Sequence, residues 1–147
     1  MRRRQILSFV VVLILSTQID AFGSTNNEND KLKKYINDVV QKVEEAENAE
    51  EKRALLNTSF DKLITTFEKV EKMKGFSEEE IAQIGVLKSV ITDRKDELNG
   101  DNGFAKVENN QLNNYANFVQ QNMEQAQNYI TISAGLAVVI VLLLLLL

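Results

Sequence analysis

The chain has 147 residues, 44% of them hydrophobic, with 17 basic and 21 acidic side chains and no cysteine, histidine, proline or tryptophan. Without histidine or cysteine it lacks the usual general base at neutral pH, the usual acyl-transfer nucleophile and the usual ligands of zinc, copper or haem, which excludes most enzyme classes and any disulfide staple. Its acidic excess is mixed finely along the sequence, unlike a nucleic-acid-binding surface, and at this length one modest core is the upper bound.

Residues 1–23 read as a secretory signal: a basic start at Arg2, Arg3 and Arg4, an apolar run from Ile6 to Leu15, then small residues at Ala21, Gly23 and Ser24 where cleavage can fall. An uncleaved signal anchor is the alternative for the same segment. In both cases the arginines stay cytoplasmic and the chain beyond the apolar run is carried across, so the expected location is membrane-anchored with the domain on the periplasmic or extracellular side.

Residues 24–29 look like a flexible leader, and residues 30–128 like an extracytoplasmic helical bundle. Asp30 can cap a first helix whose apolar stripe is Leu32, Ile36, Val39, Val43 and Ala46. Asn48 followed by Glu51 has the form of a capping box and restarts a second helix, striped by Leu56, Phe60, Leu63, Phe67 and Val70. Gly75 is placed to close that helix, and Ser77 with Glu80 makes a stronger box, with Phe76 and Ile81 as the hydrophobic staple. A third helix carries Ile81, Ile84, Leu87, Ile91 and Leu98 to Asn99-Gly100, after which a turn should pack Phe104 and Val107 back on the bundle. A fourth, starting near Asn109 or Asn110, carries Leu112, Tyr115, Val119, Met123 and Ala126.

From Ile130 to Leu147 no charge occurs, and only Thr131, Ser133 and Gly135 interrupt the apolar run before six leucines. As a helix this stretch would be ~27 Å long, the thickness of a bilayer's hydrocarbon core, with Tyr129 as its interfacial aromatic. Residues 129–147 are therefore expected to span the membrane. No helix breaker separates them from the fourth helix, so one continuous rod is predicted. The same tail also suggests a lipid-anchor signal, although Ser133-Ala134-Gly135 lack a spacer and Asn122-Met123-Glu124 carry bulky residues.

The expected fold is all-α: a small antiparallel three- to four-helix bundle whose last helix is continuous with a C-terminal transmembrane helix. Its predicted core is Ile36, Val43, Phe60, Leu63, Phe67, Ile84, Leu87, Ile91, Tyr115 and Val119. Pairing of the stripes between chains as a coiled coil is the alternative. Carboxylates at Glu78, Glu79 and Glu80, or at Asp93, Asp96 and Glu97, read as solvated helix surface. The oxygens of Asn99, Asp101 and Asn102 do not follow a calcium-loop pattern, and the sequon Asn57-Thr58-Ser59 falls inside a helix. The amide-rich face of the fourth helix, from Asn109 to Asn128, reads as a hydrated stalk or as a partner-binding face.

No catalytic residue, cofactor or metal ligand is assigned. The expected function is a non-enzymatic membrane-anchored cell-envelope protein that presents a structural or partner-binding domain. Its partners would be the membrane and either another protein or a second copy, with no nucleic acid. A sensor subunit that couples bundle to membrane helix, and a lipid-anchored surface antigen, are the alternatives.

Overall fold

The computed structural model describes residues 26–130 and 132–147, so the export signal expected over 1–23 and the start of the leader lie outside the described residues. All regular structure among those residues is helical: α1 (Asn26–Glu45), α2 (Ala49–Glu71), α3 (Glu78–Asn99), a 3-10 turn at Asn109–Gln111, α4 (Leu112–Tyr129) and α5 (Ala134–Leu146).

Local capping chemistry sets most of these boundaries. The Asn48 side chain accepts from the Glu51 N–H at 2.9 Å, while the Glu51 carboxylate reaches back to the Glu47 N–H at 3.2 Å. Two donors that a helix start leaves without partners are thereby satisfied. At α3 both arms close on the cap itself: Ser77 Oγ accepts from the Glu80 N–H, and the Glu80 carboxylate accepts from the Ser77 N–H at 2.9 Å. Phe76 and Ile81 pack half-buried against the core beside this cap. Helix α2 stops at Glu71, earlier than Gly75, whose φ of +107° serves the turn instead. Gly100 ends α3 with φ +77°. A Cβ there would lie 2.8 Å from that of Lys106, so the left-handed cap and the close chain approach both require glycine.

Helices α1 to α4 run up, down, up, down. Asn57 and Asn99 exchange amide hydrogen bonds and Lys95 meets Asp61 at 2.5 Å, pairing the start of α2 with the end of α3. Gln120 donates to Asn37 and Asn117 to Glu44, which sets α4 antiparallel to α1. The apolar stripes meet in one core. Ile36, Val43, Phe60, Leu63, Phe67, Ile84, Leu87, Ile91, Tyr115 and Val119 are all buried in it, joined by Leu32, Val40, Leu112 and Met123. An apolar cavity of about 30 Å³ remains between the four helices, too small and too dry-walled for a ligand.

Three expectations require correction. Helix α1 already includes 26–29, upstream of the Asp30 cap, so the leader does not extend to residue 29. Phe104 remains 40% exposed, because the Gly100 cap turns the chain onto Lys106 and leaves the ring outside; Val107 alone is half-buried. Most consequentially, α4 and the tail are not one rod. Ile130 is extended (φ −114°, ψ 126°), Ser133 caps a new helix, and α5 folds back onto α1 and α2. This exchange buries Leu136, Ala137, Ile140 and Leu144, which a straight extension would leave in water. At thirteen residues α5 is only ~20 Å long, and no helix of the described residues is long and apolar enough to cross a membrane.

Phe67 is fully buried, so Phe67→Ala should lose about 3–5 kcal/mol of a stability that in domains of this size totals only about 5–15 kcal/mol. Urea or thermal melts followed by circular dichroism check this, and an unchanged midpoint would contradict the packing described.

Candidate functional site

Helix α5 is apolar all the way round, a composition that belongs in a core or in lipid, yet only one side of it is covered. Leu136, Ala137, Ile140 and Leu144 face the bundle; Leu142, Leu145 and Leu146 are 53, 76 and 82% exposed. Their spacing of three and one puts them on one outward stripe together with the exposed Gly135. Tyr129, at the end of α4, is 90% exposed. Leu147 beyond the helix is also exposed, whereas the remaining exposed large apolar residues, Met73, Val86, Phe104 and Phe118, are scattered singly, as on any soluble surface. Of the expected span residues, Tyr129 and Gly135 are exposed, Ile130 packs half-buried against the core, and Leu147 lies just past the end of α5.

The start of α5 is tied to the start of α3. Ser133 accepts from the Leu136 N–H and its carbonyl takes the Ala137 N–H at 3.0 Å, so it is the N-cap of the tail helix. Its hydroxyl also lies beside the Glu80 carboxylate and, with the Ser77 backbone, holds the Glu80 carboxyl below its ordinary value. A depressed carboxyl contributes stability above its unfolded value and loses it as the pH falls through the folded one.

The second cluster of interest joins α3 to α4. Tyr115 donates to the Arg94 carbonyl at 2.5 Å and to Glu97 at 3.2 Å; Glu97 pairs with the Arg94 guanidinium at 2.6 Å, and that guanidinium lies 5.3 Å from the centre of the Phe118 ring. Burial, followed by the neighbouring Glu97 charge, pushes the Tyr115 hydroxyl well above its usual value, so at neutral pH it is a hydrogen-bond donor and not a base. This arrangement aligns two helices. Arg53, at the start of α2 and the same end of the bundle, acts similarly, bonding the carbonyls of Leu98 and Val107 and the Asn109 side chain across an open depression of about 240 Å³. Its donors are committed to the fold.

The amide-rich face of α4 divides into two functions that composition alone does not separate. Asn109, Asn113, Asn117 and Gln120 reach Arg53, Lys52, Glu44 and Asn37 and hold α4 against its neighbours. Asn110, Asn114, Gln121 and Gln125 point to solvent. Asn102 donates to Asp96 at 2.7 Å within the turn after α3, and among the described residues no group of three or more acidic side chains is placed to hold a metal ion. The sequon residue Asn57 is half-buried, with its amide engaged by Asn99.

Tyr115→Phe removes the side-chain hydrogen bond to the Arg94 carbonyl and should cost about 0.5–1.5 kcal/mol in a denaturant melt. Ser133→Ala should cost about 1 kcal/mol of tail docking, read as roughly fivefold faster amide hydrogen exchange in α5 with exchange in α2 unchanged. Compared with known proteins, the chain matches no family model, and no curated protein or solved structure is similar to it.

Proposed function

We propose that this protein is a non-enzymatic, membrane-attached cell-envelope or surface protein that presents a helical bundle outside the cytoplasm, for binding a protein partner or for a structural role. The observation that carries this reading is the tail: an all-apolar helix with an outward leucine stripe, preceded by an exposed tyrosine and free of charge from Gln125 onward. Apolar surface of this kind is stable only against lipid or another protein. The basic and then apolar N-terminal segment supports export of the bundle. The lack of histidine and cysteine, together with polar clusters consumed in holding helices together, supports a binding role over catalysis.

A lipid-anchored surface antigen is the second reading, favoured by one specific observation. The polar ties that join helices α1 to α4 involve no residue of the tail, so they would survive exchange of the tail for a lipid. The sensor reading loses its support, because it required the fourth helix to run unbroken into the membrane, and Ile130 interrupts it.

Intact mass of the membrane-extracted protein, combined with protease treatment of sealed cells, tests the proposal. A mass lacking only the first 21 to 23 residues, with the bundle digested from outside, is the expected result for a chain held by its own tail. A mass lacking the leucine tail and carrying a lipid selects the anchored antigen. Recovery of the protein wholly in the soluble fraction, or a bundle protected in sealed cells, overturns the proposal.

A further inference from the structure

We propose that the exposed leucine face of α5 is a bilayer-docking surface, and that α5 is a stowed anchor: held on α1 and α2 in water, and transferred from them to lipid when a bilayer is present. The inference rests on the membrane-attached reading above and adds how attachment is regulated.

Docking on the bundle satisfies half of this helix. Leu136, Ala137, Ile140 and Leu144 gain cover, whereas Leu142, Leu145 and Leu146 stay in water. A bilayer covers both sides at once, so lipid competes for the tail with more apolar contact than α1 and α2 can offer. The chemistry of the surface selects lipid over a protein occupant. Protein interfaces surround an apolar centre with a polar rim that fixes register, but no charged side chain occurs from Gln125 to Leu147 and the outer stripe is Gly135 and leucines. Tyr129, almost fully exposed at the foot of the tail, has the amphipathic ring that favours the headgroup boundary.

Release uncovers the apolar surface of α1 and α2 under Leu136, Ile140 and Leu144 but leaves the polar ties of the other helices in place. The hydrogen bonds that join α1 to α4, through Arg53, Asn57, Tyr115, Asn117 and Gln120, involve no residue of α5. The junction itself is under-satisfied: Gln127 Nε2 is buried without a hydrogen-bond partner, and the Ile130 N–H reaches its acceptor only at 3.4 Å. Rehydration of this junction removes that cost. Once in lipid, the backbone groups of α5 stay satisfied by its own helical hydrogen bonds.

The natural absence of cysteine makes a direct test possible. Three single-cysteine forms of the full chain are prepared: Ala137→Cys on the covered side of α5, Leu145→Cys on the open side, and Gln121→Cys on the solvent face of α4. Each is reacted with a water-soluble maleimide, with and without phosphatidylcholine vesicles, after circular dichroism has shown unchanged helicity. In water, Leu145→Cys and Gln121→Cys should react at similar rates and Ala137→Cys at least tenfold more slowly. With vesicles, Leu145→Cys should also slow at least tenfold while Gln121→Cys is unaffected. Equal, fast labelling of both tail positions in water, with protection of both by vesicles, overturns stowing and leaves membrane attachment standing. No protection of Leu145→Cys by vesicles overturns both. Protection of Leu145→Cys in water alone, by a second copy visible in sedimentation or by another part of the chain, overturns the assignment of the face to lipid.

Discussion

Burial of the α2 stripe is the constraint on which the other helices depend. Leu56, Phe60, Leu63, Phe67 and Val70 fill the centre of the molecule, and α2 is the one helix that touches each of the others among the described residues. Two phenylalanines a heptad apart set the distance at which α1, α3 and α4 can close around it, because interiors tolerate neither voids nor overlap at that density. The polar edge of the same helix then fixes rotation and register. Arg53, Asn57 and Asp61 recur at every fourth position and each engages the far end of α3 or the segment after it. Apolar packing alone would allow α3 to slide or rotate on α2, whereas three directional contacts along one edge permit a single alignment.

Helix α4 is held differently. It touches α3 less than it touches α1, and its alignment with α3 depends on the Arg94, Glu97, Tyr115 and Phe118 cluster. The cluster places a phenol, a carboxylate and a guanidinium within hydrogen-bonding reach, which in another setting would suggest proton transfer. Here the electrostatics oppose that role. Burial and the Glu97 charge both keep the proton on Tyr115, and the hydroxyl is spent on a backbone carbonyl. The same residues that would attract attention as chemistry serve as an interhelical clasp.

The range of each force decides which parts of this arrangement are legible in the sequence. Caps act over three residues, so Asn48 with Glu51, Ser77 with Glu80 and Gly100 are visible in the sequence as directly as in the structure. Stripes act over a helix, so the ten predicted core positions are all buried, although in α1 Val40 and not the expected Val39 lies inside. The break at Ile130 is not signalled by glycine or proline, since residues 130–133 contain neither. Its cause is non-local: α1 and α2 offer an apolar surface that a returning helix can cover. A local trace does exist, because serine at 133 stands directly before an apolar run, the position of an N-cap. Composition likewise identifies the amide-rich face of α4 but not its division, because whether an asparagine faces solvent or reaches Glu44 depends on a helix some seventy positions away.

The returning tail sets up a competition that the bundle alone does not decide. A helix with apolar residues on every side has no orientation in water that hides them all, so whatever site it occupies on a small domain leaves a stripe exposed. In an obligate core helix that stripe would be covered by further layers, but a domain built from four helices of about 20 residues has no second layer to offer. The tie between Ser133 and Glu80 therefore acquires its importance from position and not from strength. It is solvent-screened and modest, and it lies beside the turn between α4 and α5. From that turn the tail can lie along α1 and α2 or swing away from them, while the clasp between α3 and α4 and the edge of α2 remain closed in either position.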